Sequence, residues 1–291
     1  MSALTVVLAL LLFVLIISYS AAAVALNGGK HIPMTVRPES LGLPYEAVEF
    51  RSADGVELKG WFVPASVPSA KTIIFCHGWG ANKGEVLKST SFLQGQGFNL
   101  FYFDFRCCGE SGGTVLSVGA LEARDLDAAV VFVKALRPKD SLAIYGVSMG
   151  SMVAFAGLTR HPELRAAVLE CPFGSHNEAL ARYAWAKFSI PYYPFMPLVF
   201  FFVRQRLGFD PEETTSPERL IRKLGATPVL AVCGEKDPIA VPEIGRSLID
   251  KLAGRGTLWV VPGAGHAECA ETAGAVYREK LLDFFQDSMR S

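Results

Sequence analysis

The chain begins with a stretch, residues 1–29, that carries no charge; the first cation is Lys30. Its densest part, residues 4–17, is apolar throughout except for Thr5. A run of this length reaches the ~20 residues a helix needs to cross a bilayer, so residues 1–29 are expected to insert into a membrane. A linker over residues 30–44 follows, with Pro33, Pro38, Gly42 and Pro44. Two alternating segments, residues 47–52 and 56–64, then flank Ala53-Asp54-Gly55, the signal of a β-hairpin turning on Asp-Gly. From Lys71 the pattern changes to short, continuously apolar strands at 72–76, 99–103, 142–145, 166–169, 228–233 and 257–261. Strands without polar alternation are buried on both faces. They are separated by helical segments at 85–94, 118–136, 149–160, 242–252 and 272–286. Strand and helix in alternation predict right-handed crossovers around a mostly parallel sheet, an α/β fold.

One region breaks the alternation. Residues 172–216 precede the next strand and hold 11 of the chain's 32 aromatic residues. A connection of that length is read as an inserted subdomain. Its centre, residues 188–203, is uncharged but interrupted by Pro191, Pro194 and Pro197, too short and too broken to span a membrane.

Composition sharpens this picture. Of the 291 residues 51% are hydrophobic and 19% charged, and 28 Lys and Arg balance 28 Asp and Glu. Globular domains average ~25% charged residues, so the chain is apolar for its size. The charge balance and the lack of a basic block exclude a nucleic-acid binder, and the apolar content excludes disorder. Two readings of the N-terminus stay open. A signal peptide could be cut after Ala23-Val24-Ala25 for secretion or export to a periplasm, but it should begin with a basic region, which is missing. A retained single-pass anchor is favoured. Lys30 and Arg37 follow the run and no side-chain cation precedes it, which places the main domain on the cytoplasmic side. The six cysteines lie mostly at the ends of apolar runs without metal-like spacing, and are read as buried core thiols.

The chemistry concentrates where the strand at 142–145 runs into Gly146-Val147-Ser148-Met149-Gly150. Gly-x-Ser-x-Gly between strand and helix forces a sharp, strained turn that lifts the serine hydroxyl clear of the sheet edge. Ser148 is therefore the expected nucleophile. A hydroxyl needs a base, and of the five histidines His266 is expected to serve, because its Gly-rich loop follows the last strand. His31 sits beside the anchor, His77 closes the first long strand, His161 suits a helix end, and His176 opens the insertion. The acid that orients the imidazole is expected to be Asp237, in Gly234-Glu235-Lys236-Asp237-Pro238, with Glu235 a competitor and Glu170 a substitute position. Asp104 is read as a structural carboxylate near Arg106. The backbone N–H groups of Trp79 and Met149 are the expected oxyanion donors, with the Trp79 side chain a pocket wall.

Together these residues resemble the α/β-hydrolase family. His77-Gly78-Trp79-Gly80, the loop from Asp104 to Ser111, Gly146 to Gly150, Gly234 to Asp237 and Gly265-His266 occur in that family's order. The likeness covers residues 45–288 and looks most like the serine-aminopeptidase-like or monoacylglycerol-lipase-like branch, which includes membrane-anchored members. It implies an eight-stranded, mostly parallel sheet with helices on both faces, a Ser148-Asp237-His266 triad and a lid over residues 172–216 inserted after the sixth strand. One departure is Arg106-Cys107-Cys108-Gly109, where relatives carry Arg-Gly-aromatic-Gly. The expected activity is hydrolysis of carboxylic esters with lipophilic acyl groups through an acyl-enzyme, with no cofactor implied. A peptidase or amidase using the same residues, and a catalytically silent lipid- or partner-binding scaffold, are the alternatives.

Overall fold

The computed structural model describes residues 2–27 and 32–290; the readings of Lys30 and His31 fall outside the described residues. The apolar N-terminal run forms one helix, α1 (Ala3–Asn27). It is long and apolar enough to cross a membrane. The hairpin is present as β1 (Glu46–Arg51) and β2 (Glu57–Val63), antiparallel and in register from Glu46 opposite Phe62 to Arg51 opposite Glu57. The alternating part follows as β3 (Lys71–Cys76), α2 (Lys83–Thr90), β4 (Asn99–Phe103), α3 (Glu122–Leu136), β5 (Ser141–Val147), α4 (Met149–Leu158) and β6 (Leu164–Glu170). Four helices fill the long connection: α5 (His176–Phe188), α6 (Tyr192–Leu207), α7 (Glu212–Thr215) and α8 (Pro217–Leu220). The chain closes with β7 (Val229–Gly234), α9 (Pro242–Asp250), β8 (Gly256–Val261), α10 (Cys269–Ala273) and α11 (Ala275–Ser288).

The eight strands form one sheet in the order β1-β2-β4-β3-β5-β6-β7-β8. β1 pairs with β2, and β2 with β4, antiparallel; the other five pairs are parallel. Along β3, Ile74 and Cys76 face a core built with Val130 and Val133 of α3 and Phe155 of α4. Ile73 and Phe75 face the opposite core, built with Leu87 of α2 and Leu281 and Phe285 of α11. Because successive side chains of a strand point to opposite faces, a strand between two helical layers must be apolar at every position, the pattern by which these strands are legible.

Several helices differ from their predicted extents, α2 giving way to a 3-10 turn after Thr90, and for two the cause is plain. α3 starts at Glu122 rather than at 118, because the Glu122 carboxylate folds back to accept the backbone N–H of Ser117 at 2.9 Å and of Gly119 at 2.7 Å, holding that segment as a turn. The last predicted helix is divided between α10 and α11 at Gly274, whose φ of 53° is left-handed.

A third apolar cluster joins α1 to the insertion: Ala22, Ala25 and Leu26 pack with Leu180 and Ala184 of α5 and Met196, Val199 and Val203 of α6. Edge-to-face ring pairs, Phe13 with Phe195 and Tyr19 with Phe202, continue the seam toward the N-terminus. Leu4, Leu8, Leu11 and Leu12 are exposed.

Candidate active site

In a parallel sheet, the loops leaving the C-terminal ends of the strands gather on one edge. Here β3 delivers Gly78 and Trp79, β5 delivers Ser148, β7 delivers Asp237 and β8 delivers His266 to that edge.

Ser148 has φ 54° and ψ −118°, a conformation L-residues rarely adopt. The flanking glycines make it attainable. A Cβ on Gly146 would lie 2.2 Å from the Gly150 carbonyl oxygen, and one on Gly150 would lie 2.2 Å from that of Cys76 and 2.6 Å from that of His77. The turn is thus wedged against the end of β3, and α4 starts directly after it. The Gly78 loop lies alongside, since a Cβ on Gly78 would meet the Ser148 Cβ at 3.5 Å, an ordinary van der Waals contact. That contact places the Trp79 backbone beside the serine, while Met149 supplies the first N–H of α4.

The structure brings Ser148, His266 and Asp237 together. The Ser148 Oγ lies 2.9 Å from His266 Nε2, and His266 Nδ1 lies 2.7 Å from Asp237 Oδ2. Asp237 is buried, and its other oxygen accepts the backbone N–H of Ile239 and of Ala240, each at 2.8 Å. Burial opposes its charge, but His266 and those two N–H groups outweigh burial and hold the carboxyl below its ordinary range. Burial likewise opposes an imidazolium at His266, yet hydrogen bonding to Asp237 and to Cys171 raises its pKa above the ordinary 6.5. The Cys171 thiol is itself pushed far up by its contact with Cys269 and by burial. It stands uncharged at neutral pH, so the Asp237 carboxylate carries the electrostatic part of the His266 shift.

The competing residues have other partners. Glu170 is buried and accepts the hydroxyls of Tyr145 and Tyr277, each at 2.6 Å, with its pKa raised by burial. The Glu235 carboxylate accepts the Gly263 N–H at 2.8 Å. His77 is buried, with Nδ1 against the Gly78 carbonyl and Nε2 accepting the Phe105 N–H, so both nitrogens brace the loop. His161 pairs with Asp127. His176 places Nε2 against the Ser117 carbonyl at 3.1 Å. Asp104 is a buried structural carboxylate, but its partner is the buried Lys83 ammonium rather than Arg106. Arg106 instead bridges Asp54 of the hairpin turn and Asp125 of α3.

Cys171 was read from the sequence only as core filling. It follows β6 at the same edge, has φ 50°, and its sulfur accepts the Ala267 N–H at 3.3 Å. The sequence shows only that it follows the sixth strand, not which loop it meets across the sheet. Cys171, Asp237 and His266 bring three metal-type donor atoms within 4.8 Å. Two of those atoms already bond each other, so an ion there would displace the contact that orients the imidazole. All six cysteines are buried and none forms a disulfide.

Above Ser148 lies a cavity of about 430 Å³, lined by side chains of the Trp79 loop, α1, α5 and α6, with Ser148 and His266 at its floor. Trp79 forms part of the wall, stands edge-on to Tyr183, and donates its indole N–H to the Ala25 carbonyl of α1 at 3.1 Å.

Comparison with known proteins gives concordant relatives. The family model described as serine aminopeptidase matches residues 68–208. The uncharacterized protein YqkD of Bacillus subtilis is 30% identical over 240 residues, covering 81% of this chain and 77% of its own. The uncharacterized protein YfhR of Escherichia coli is 27% identical over 251 residues, covering 84% and 81%. Among solved structures, the esterase Pf2001 of Pyrococcus furiosus superposes with a TM-score of 0.74 at 25% identity, covering 91% of this chain and 99% of that one. With this sheet order, a serine turn after β5 and these relatives, the chain belongs to the α/β-hydrolase family, in its serine-aminopeptidase-like branch.

Proposed function

We propose that this protein is a membrane-anchored serine hydrolase that cleaves carboxylic esters with lipophilic acyl groups. The observation that carries the reading is the continuous contact from Ser148 through His266 to Asp237 at the floor of an apolar cavity. Ser148 Oγ attacks the ester carbonyl as its proton passes to His266 Nε2, and Asp237 holds the Nδ1–H and stabilises the imidazolium. The oxyanion is received by the N–H groups of Trp79 and Met149, the latter favoured by the positive end of α4. Collapse expels the alcohol, which takes the proton from His266. Water then repeats the sequence on the acyl-enzyme, releasing the acid and restoring Ser148.

An ester is favoured over an aminoacyl amide because, among the described residues, no carboxylate lines the cavity to receive a free α-amino group. Retention of α1 is supported by its docking on the main domain: Trp79 bonds the Ala25 carbonyl at 3.1 Å and the Leu116 N–H bonds that of Leu26 at 3.0 Å. Signal cleavage after Ala25 would cut between these two anchoring residues. Buried thiols and the cations that follow the helix favour a cytoplasmic catalytic domain. The domain division follows: residues 1–29 as anchor, 30–44 as linker, and 45–288 as hydrolase domain with residues 172–216 as its lid.

A fluorophosphonate probe tests the nucleophile. Wild type is expected to be labelled and Ser148→Ala, equally folded, to remain unlabelled; a folded wild type that resists the probe overturns the hydrolase reading. p-Nitrophenyl esters of short and long acyl chains, compared with aminoacyl anilides, then test substrate class, with long-chain esters expected to be preferred.

A further inference from the structure

The sequence of α1 has two halves. Residues 4–17 are rich in Leu, Val and Ile, whereas residues 18–26 are mostly Ser and Ala. A bilayer span needs no such change. The structure gives the second half a different neighbour: Ile17, Ser20, Ala21, Val24 and Ala25 lie on one side of the helix and line the cavity over Ser148. That spacing of three and four residues is one helical face. At 1.5 Å per residue it extends the cavity wall about 12 Å along the helix. Small side chains leave room on that face, where leucines would fill it.

The same helix continues beyond the domain. Its seam with α6 reaches Phe13, through the ring pair with Phe195 and the Ser18 hydroxyl on the Phe195 carbonyl at 3.3 Å. Residues 3–12 project past it by about 15 Å, half the ~30 Å thickness of a hydrocarbon core. If α1 crosses a bilayer, the other half of the crossing lies against the start of α6. Tyr192, Tyr193 and Phe201 of that helix are exposed, residues 188–203 carry no charge, and Arg204 and Arg206 follow in its last turn. The cavity therefore runs between α1 and α6 toward the depth at which acyl chains reside.

We propose that α1 is a wall of the acyl-binding site as well as an anchor, and that the acyl chain of a bilayer-resident ester slides between α1 and α6, along Ile17, Ala21 and Val24, to reach Ser148. The ligand class is a single unbranched acyl chain whose ester carbonyl arrives at the Trp79 loop. That loop is tied to α1 through the Ala25 carbonyl. The inference rests on the hydrolase reading for the fate of the ligand, and on the geometry of α1 for its path.

The full-length protein in phosphatidylcholine nanodiscs provides the test. Ala21→Phe and Val24→Phe place a ring in the cavity face. Val24 is 47% exposed, so its replacement disturbs little packing. Leu8→Phe, on the exposed first half, is the control. The ratio of kcat/KM for p-nitrophenyl laurate over acetate is expected to fall at least about tenfold in the two cavity variants, the scale on which apolar pockets discriminate by size. It should stay within about twofold in the control. Binding is read separately, by quenching of tryptophan fluorescence with 9,10-dibromostearate in Ser148→Ala, where Trp79 reports on the cavity. Adding Ala21→Phe or Val24→Phe is expected to raise the apparent Kd at least about fivefold. Unchanged selectivity and unchanged quenching overturn the assignment of α1 to the site. Quenching that depends on α1 in a protein that hydrolyses neither ester sustains the assignment and overturns the hydrolase reading alone.

Discussion

At Ser148, His266 and Asp237, three side chains from distant parts of the chain meet with separations of 2.9 and 2.7 Å. In the proposed mechanism the protonation of the middle one sets the working pH. Only neutral His266 can take the serine proton, and its pKa is raised, against the opposing effect of burial, by Asp237 and Cys171. As pH rises through that value, imidazolium gives way to the base, so kcat/KM for ester hydrolysis is expected to increase with pH along a limb whose midpoint lies above the unperturbed ~6.5. Asp237→Asn removes the charge that favours imidazolium and the acceptor that fixes the tautomer. Its midpoint should move to lower pH while the rate falls by about 10³–10⁴-fold. A pH–rate profile of both proteins checks direction and size, and a midpoint that stays fixed refutes the role given to Asp237. Ser148, His266 and Asp237 were legible because each follows an identifiable strand. The Cys171 contact and the Lys83–Asp104 pair were not, because they depend on which loops become neighbours across the sheet, and strand order is not written in local periodicity.

Among the elements, the serine turn shows how close approach can override helix propensity. Gly150 and Gly157 both sit in α4, and replacing a helical glycine by alanine ordinarily stabilises by about 1 kcal/mol. For Gly157 the nearest obstacle is a terminal methyl of Leu126, which can rotate away. For Gly150 the obstacles are backbone oxygens of Cys76 and His77, which can move only if the end of β3 moves. Gly157→Ala is therefore expected to change stability by less than about 1 kcal/mol, and Gly150→Ala to destabilise by about 3 kcal/mol or more while distorting the Ser148 turn. Urea unfolding together with fluorophosphonate labelling separates the two, and equal effects at both positions would refute the steric account. The central strands were readable for a related reason: cores on both faces demand continuous apolar residues, a pattern that survives without knowledge of the partners. Helix ends were less readable. The start of α3 depends on the Glu122 side chain turning back on Ser117 and Gly119, and the break before α11 on the conformation of one glycine.

For the whole molecule, the excess of apolar residues resolves into two sequence regions that the fold makes one. The uncharged N-terminal run and the aromatic insertion are separated by more than 140 residues, yet α1 and α6 share a core cluster, ring pairs and a cavity wall. Sequence periodicity identified each as apolar; it carried no sign that they pack on each other, because a membrane helix and a lid helix have the same local pattern. Their union supports the proposed retention of the N-terminal helix. A cut after Ala25 would release the helix that supplies Ala22 and Ala25 to that cluster, leaving Leu180, Met196 and Val199 uncovered and the Trp79 indole without its carbonyl partner. Exposing a large apolar face and orphaning a polar group each cost on the order of 1–3 kcal/mol per group, so the mature protein should keep the helix. Intact-mass measurement of protein extracted from membranes is expected to show the N-terminal residues present, and alkaline carbonate should leave the chain in the membrane pellet. A soluble product beginning near Leu26 would mean that the lid is covered by something other than α1.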